Sequence, residues 1–176
     1  TQTMALLLGS PALGVGIPAD YPGTTDPITT DQRGVTRSPS IVDLGAFTLS
    51  TSYLVTDGAD TAGASDDVTL RYAITQALTN HENATITFSP SMINLTDDTI
   101  TLSILDTNTL YGDTAFVVND AAITIDGLTH PGLIISGGDI LRPFAVTSTA
   151  FLTLENLTVS GGLAKGAKGG DGGGGG

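Results

Sequence analysis

Apolar and polar positions alternate over short distances along most of the chain. From residue 98 onward, apolar residues recur in triplets that Gly, Asn, Asp and Ser separate, and these triplets begin at residues 100, 116, 123, 133, 144, 152 and 157. Short alternating runs rich in Thr, Val and Ile are typical of β-strands. Residues 53–57 and 85–88 follow the same pattern, so they predict two earlier strands.

One segment has helical periodicity instead. Apolar residues recur at steps of three and four in this segment, at Leu70, Ala73, Ile74, Ala77 and Leu78. This spacing predicts a short amphipathic helix over about residues 69–79. Asp66 or Asp67 is the expected N-cap, because an acidic side chain there suits the helix N-terminus.

The triplets repeat at regular distances. Two of them precede Ser-Gly-Gly turns, at residues 136–138 and 160–162, which lie 24 residues apart, and Phe116 and Phe144 lie 28 apart. Periods of 20 to 50 residues mark solenoids. The predicted fold class is therefore all-β, a right-handed parallel β-helix (solenoid) with a short N-terminal capping helix; a β-sandwich is the alternative.

Within such coils, alternate residues face inward. Ile123, Ile125, Leu152 and Leu154 are expected to form continuous apolar stacks, since each strand would pair with its copy about 4.8 Å above.

Composition narrows the function classes. The net charge is −12 with only six Lys and Arg residues, and a surface of this sign repels nucleic acid. No apolar run approaches the roughly 20 residues of a membrane span. The absence of cysteine rules out disulfides and thiolate metal sites.

The first 50 residues differ from the rest. They are rich in Pro, Gly and Thr, with strands expected at 6–8 and 41–47 and an ordered loop over 18–39. Their apolar pieces are too few for a core of their own, so residues 1–49 are expected to pack against a solenoid end. Residues 51–176 are expected to begin a parallel β-helix that includes a Gly-rich loop at 161–176.

Two parts of the sequence resemble one family. Leu54-Val55-Thr56, Leu70-Arg71-Tyr72-Ala73-Ile74 and Ile86-Thr87-Phe88 resemble the opening segment of bacterial right-handed parallel β-helix repeat surface proteins. Gly9-Ser10-Pro11-Ala12, Asp31-Gln32-Arg33-Gly34 and Asp43-Leu44-Gly45-Ala46-Phe47 resemble the choice-of-anchor type segment that closes such helices. The order, a closing segment before an opening one, predicts tandem domains or subunits that join head to tail.

This resemblance implies a structural or adhesive protein at the cell surface or in the extracellular space. The expected partners are a second copy of the chain, a neighbouring β-helix domain and surface polysaccharide. The alternative is a polysaccharide-binding or polysaccharide-degrading protein, a lyase or hydrolase. Catalysis requires converging carboxylates. Asp120, Asp126 and Asp139 lie near the predicted strands and could line a groove, but Asp126-Gly127 and Gly138-Asp139 fit turns better, so no catalytic residue and no enzymatic activity is expected.

Calcium is the one cofactor that the residues suggest. The hard oxygen ligands that Ca²⁺ prefers are concentrated in one loop, at Asp57, Asp60, Asp66 and Asp67. The alternative is a solvated acidic loop, because no EF-hand pattern is present.

The remaining charged residues are expected to be structural. Arg71, on the capping helix close to Asp66 and Asp67, is predicted to make a structural ion pair or to donate hydrogen bonds to loop carbonyls. The same interpretation applies to Arg33 and Asp31. His81 and His130 are predicted to be solvent-exposed turn residues, without a metal.

Overall fold

The structure, a computed structural model, describes residues 4, 6, 10–13, 15–34, 37, 42–80 and 82–165. In these residues the chain is β-rich, with one short α-helix. The strands are β1 Ser50–Asp57, β2 Asn83–Ile93, β3 Thr99–Thr101, β4 Thr114–Val118, β5 Ala122–Asp126, β6 Ile134–Ser136, β7 Arg142–Val146, β8 Phe151–Glu155 and β9 Thr158–Ser160. Helix α1, Leu70–Thr79, connects β1 to β2, and a 3₁₀ turn, Thr109–Tyr111, precedes β4.

The strands pair in parallel within three sheets. Their orders are β1-β2-β5-β8, β3-β6-β9 and β4-β7, so from β2 onward each strand pairs with the strand three positions later. Every ladder between these strands is parallel. The all-β class and the parallel pairing predicted from the sequence are therefore confirmed.

The sequence repeats coincide with the pairing register. Phe116 lies opposite Phe144, with ring centroids 5.6 Å apart and an interplanar angle of 22°. Ser136 lies opposite Ser160, which stacks the two Ser-Gly-Gly turns. A Cβ on Gly137 would overlap the carbonyl oxygens of Leu141 and Gly161. Close stacking of these turns therefore requires glycine at this position.

The core consists of rows of apolar side chains that run across the strands. Ile86, Ile125 and Leu154 form one such row. Ile86 and Ile125 are fully buried, whereas Leu154 is 39% exposed, and its neighbour Leu152 is half-buried. The expected stack is thus present but incompletely covered at Leu154, because β8 is the last strand of its sheet in the described residues.

Helix α1 lies where the sequence predicts a helix. It buries Leu70, Ala73, Ile74 and Ala77 in the core. The predicted N-cap is wrong, because Thr69 holds that position and its Oγ1 accepts a hydrogen bond from the Tyr72 N–H at 3.0 Å. Asp66 and Asp67 come too early, since Asp67 closes a tight turn with Ala64.

The described part of residues 1–49 contains turns and no regular strand. Isolated antiparallel bridges join Gly16 to Val42 and Asp20 to Pro27. The predicted strand at 41–47 is wrong for residues 42–47, where Gly45 has a positive φ. Residues 7, 8 and 41, His81 and most of the predicted Gly-rich loop, 166–176, lie outside the described residues.

Candidate functional site

A cleft of about 720 Å³ lies between the N-terminal segment and the sheet that contains β8. Residues within 18–42 form one wall, and the strands β2, β5 and β8 form the other. We call this space the sheet cleft. Its lining combines apolar side chains with regularly spaced polar groups.

A row of threonines lines the sheet wall of this cleft. Thr85, Thr124 and Thr153 lie opposite one another on consecutive strands, at the parallel strand spacing of about 4.8 Å. Their neighbours Ala84 and Ile123 are buried, so the threonines lie on the outer face. None of the three hydroxyls bonds to another described protein group.

An aromatic ring stands beside these hydroxyls. Phe151 lines the sheet cleft and is 50% exposed. Its position follows from strand alternation, because Leu152 faces the core and residues 151 and 153 must therefore point outward. The sequence analysis does not single out Phe151, although the alternation in Phe-Leu-Thr-Leu at 151–154 places Phe151 and Thr153 on one face.

A network of polar bonds fixes the N-terminal wall. The Arg33 guanidinium donates to the Asp31 carboxylate at 2.6 Å and to the Thr48 carbonyl at 2.6 Å. It also lies 3.8 Å from the centroid of the Phe47 ring. Asp31 in turn accepts from the Thr48 N–H at 3.1 Å. The predicted Arg33–Asp31 pair is confirmed, and its role is structural.

Asp57, one of the four candidate calcium ligands, accepts hydrogen bonds from neighbouring protein groups. Asp57 accepts from the Ala59 N–H at 2.7 Å and from the Asn94 side-chain amide at 2.8 Å. Asp66 and Asp67 are exposed. Slight desolvation, followed by the negative charge of Asp57, raises the pKa of Asp67. In the described residues, no three His, Cys, Asp or Glu side chains are grouped so that they could hold a metal.

Asp60 forms a salt bridge with Arg71. The Arg71 Nε donates to Asp60 Oδ1 at 2.7 Å, and the N–H groups of Ser103 and Ile104 donate to Oδ2 at 2.7 and 2.9 Å. Burial acts to raise the pKa of Asp60, but these hydrogen bonds outweigh burial and the pKa lies below its ordinary value. The predicted structural ion pair of Arg71 is therefore confirmed, and its partner is Asp60.

Arg71 also connects the helix to the next strands. Its guanidinium donates to the Ile104 carbonyl at 2.9 Å and the Ala115 carbonyl at 3.1 Å, and it lies 4.4 Å from the Phe116 ring centroid. The predicted bonds to loop carbonyls are therefore confirmed.

Glu82 is a buried carboxylate at the start of β2. It accepts hydrogen bonds from the Thr51 hydroxyl at 2.6 Å and from the Tyr53 hydroxyl. Burial, followed by that bond and the charge of Glu82, raises the pKa of Tyr53. This pair joins β1 to β2 and is structural.

The three candidate catalytic aspartates take part in turns. Asp126 accepts from the Leu128 N–H at 2.9 Å and the Asn156 amide at 2.8 Å, and the Asn156 bond is the larger cause that lowers the pKa of Asp126. Asp120 and Asp139 have positive φ angles of 49° and 59°. The predicted turn is confirmed for Asp139, whereas Asp126 is the last residue of β5 and borders the turn that follows it.

The prediction that His130 is solvent-exposed is wrong. His130 is buried, with Nδ1 3.0 Å from the Ser89 carbonyl oxygen and Nε2 3.0 Å from Asp98 Oδ1. The turn that begins at Gly127 folds back onto β2, which encloses the ring between two acceptors. Thr129 adds a hydroxyl bond to the Phe88 carbonyl at 2.6 Å.

Within the described residues, no helix has the length and apolar character needed to cross a bilayer.

The chain was compared with protein-family models, curated proteins and solved structures. No protein-family model, no curated protein and no solved structure matches the chain.

Proposed function

We propose that the chain is a structural or adhesive part of an extracellular or cell-surface protein, built as the first coils of a right-handed parallel β-helix. The support is the order in which the strands pair. Successive strands along the chain join the three parallel sheets in turn, so that every third strand from β2 onward extends the same sheet. In this proposal α1 is the cap that covers the apolar rows before the first coil.

One observation carries the proposal of assembly. The row Ile86, Ile125, Leu154 is apolar throughout, yet Leu154 is 39% exposed at the outer edge of β8. Val159, which lies opposite the buried Ile135, is likewise exposed on β9. An uncovered solenoid end exposes unpaired strand edges and core, and such an end favours the addition of further strands.

We propose that this end receives a neighbouring β-helix segment, either another domain or a second copy. Residues 1–49 are the candidate junction segment, because they resemble the closing part of a β-helix. Repetition of one such head-to-tail contact produces a filament or a tandem array. An acidic surface, with a net charge of −12, suits a soluble exterior for such an assembly.

A matched pair of variants tests the assembly. Leu154→Asp places a charge at the proposed contact, and Leu128→Asp places the same charge on a leucine that is 64% exposed and outside the apolar row. Sedimentation velocity over a range of concentrations, with electron microscopy of the largest species, measures association. We expect head-to-tail oligomers from the parent chain and Leu128→Asp but monomers from Leu154→Asp. A parent chain that stays monomeric throughout would overturn self-association, and equal assembly of both variants would overturn the contact at Leu154.

A further inference from the structure

We propose that His130 is a pH-sensitive clamp between two connections of the fold. Its ring carries two protons at neutral pH and holds both connections, and one contact opens when the ring loses a proton at higher pH. The clamp is independent of assembly, because every group in it belongs to the connections of a single chain.

Both ring nitrogens of His130 face oxygen atoms that accept hydrogen bonds and cannot donate them. Nδ1 lies 3.0 Å from the Ser89 carbonyl oxygen, and Nε2 lies 3.0 Å from Oδ1 of Asp98. A neutral imidazole has a single N–H, so one of these contacts would bring a lone pair against an acceptor. The imidazolium donates in both contacts. The geometry therefore fits the doubly protonated ring.

The surroundings of the ring favour the same form. From β2 the ring meets the uncharged Ser89 carbonyl, and from the connection after β2 it meets the Asp98 carboxylate. The nearest charged residues along the chain, Asp97 and Asp126, are acidic as well. The His130 side chain is only 10% exposed, and burial acts against a charged ring. Two charge-assisted hydrogen bonds offset that cost.

The clamp joins parts of the chain that are distant in sequence. His130 lies in the tight turn after β5, where its N–H donates to the Gly127 carbonyl at 2.9 Å and its carbonyl accepts from the Leu133 N–H at 3.2 Å. Asp98 lies in the connection between β2 and β3, and its carbonyl accepts from the Ile134 N–H at 2.8 Å. The contact between the two side chains therefore fastens the turn after β5 to the connection that leads into β3.

The exposure of the two acceptors determines which contact opens. The Ser89 carbonyl is held within β2, whereas the Asp98 side chain is 59% exposed and is free to turn into water. A ring with one proton therefore keeps it on Nδ1, and Nε2 releases Asp98. Since the folded chain holds the second proton more tightly than the unfolded chain does, this contribution to stability is complete at mildly acidic pH and is lost as the pH rises.

Nitrogen-15 NMR detects these protons directly. The sequence has two histidines, so the His81→Gln chain with nitrogen-15-labelled histidine gives the signals of His130 alone. The two ring nitrogens of an imidazolium resonate close together, whereas those of a neutral ring lie far apart. We expect close signals at about pH 7, and a neutral ring with its proton on Nδ1 at about pH 9. Widely separated signals at pH 7, or a neutral ring that keeps its proton on Nε2, would overturn the proposal.

A matched pair of variants tests the contact. Asp98→Asn replaces the carboxylate that the ring contacts, and its new amide can accept from a protonated Nε2 or donate to an unprotonated one. Asp97→Asn removes the same charge from the exposed neighbouring residue. Both positions have a φ of 52°, which asparagine tolerates.

Urea titration between about pH 6 and pH 9 measures the folding equilibrium constant of each chain. His81 and the α-amino group are common to all three chains, so differences between the profiles report the clamp. We expect the constant to fall about fivefold further in the parent and in Asp97→Asn than in Asp98→Asn.

Parallel profiles in the parent and Asp98→Asn, or the same loss of pH dependence in both variants, would overturn the clamp. If Asp98→Asn does not fold, the nitrogen-15 signals of His130 decide the question alone. Failure here leaves the assembly proposal intact, because that proposal is tested by sedimentation and does not involve His130.

Discussion

Several carboxylates in this protein accept hydrogen bonds from backbone N–H groups in the connections. Asp57, Asp60 and Asp106 each accept from one or more such donors, as Asp31 and Asp43 do near the N-terminus. Short strands leave many connections, and each buried N–H in a connection needs an acceptor. These aspartates therefore stabilise the connections between the strands.

Asp60 provides the clearest test at this scale. We expect Asp60→Asn to lower the free energy of unfolding by about 3 kcal/mol, because it removes the partner of a largely buried Arg71. Asp66→Asn is the control, since Asp66 is exposed, and its effect should stay within about 0.5 kcal/mol. Urea titration measures both. Equal effects would contradict the structural role assigned to Asp60.

Acid should weaken the same contact. The pKa of Asp60 is lowered in the folded chain, so its stabilising contribution is complete above the ordinary pKa of about 3.9 and is lost as the pH falls through the folded value. The raised pKa of Asp67 acts in the opposite direction. We therefore expect the acid loss of stability below about pH 4 to be smaller in Asp60→Asn than in the parent. Parallel pH profiles would contradict this.

Among the elements, α1 depends on Thr69. Its hydroxyl oxygen caps the Tyr72 N–H and also donates to the Thr61 carbonyl at 2.8 Å. One side chain thus starts the helix and ties it to the acidic loop. The helix in turn covers the apolar rows of the first strands.

Removal of this cap should be costly. We expect Thr69→Ala to lower the free energy of unfolding by about 1 to 2 kcal/mol, because two hydrogen bonds are lost at a buried position. Thr69→Ser keeps both bonds and should recover most of the loss. Thr75→Ala, on the exposed face of α1, should be neutral. Thermal unfolding followed by circular dichroism checks the series; no difference between Thr69→Ala and Thr69→Ser would refute the cap.

Periodicity predicted the elements well. The helix and the strands from residue 50 onward follow from steps of three and four and from alternation, which depend on which side chains face the core. The partner of Arg71 and the burial of His130 did not follow, because each depends on a connection that folds back over residues distant in sequence. The cap is local, and Thr69, not Asp66 or Asp67, directly precedes the helix. The sheet cleft could not be predicted either, since its two walls are joined only in three dimensions.

In the whole molecule, the apolar rows determine where a charge can be tolerated. Ile125 lies in the middle of its row and is fully buried, while Leu154 lies at its edge. We expect Ile125→Asp to unfold the chain, because an unpaired buried charge costs several kcal/mol. Leu154→Asp, at low protein concentration, should remain folded and lose less stability. Circular dichroism and urea titration check the pair; a folded Ile125→Asp would contradict the assigned core.

The most direct measurement concerns the parallel register on which the β-helix proposal depends. The chain has no cysteine, so the double variant Thr124→Cys with Thr153→Cys introduces a single pair of thiols that face each other on β5 and β8. Neighbouring strands lie about 4.8 Å apart, within the Cα distances that a disulfide spans. Thr124→Cys with Glu155→Cys is offset by two residues, beyond about 7 Å. After mild oxidation and thiol labelling of the denatured chain, the account predicts a disulfide in the first variant and free thiols in the second. Free thiols in the first variant, or equal oxidation of both, would contradict it.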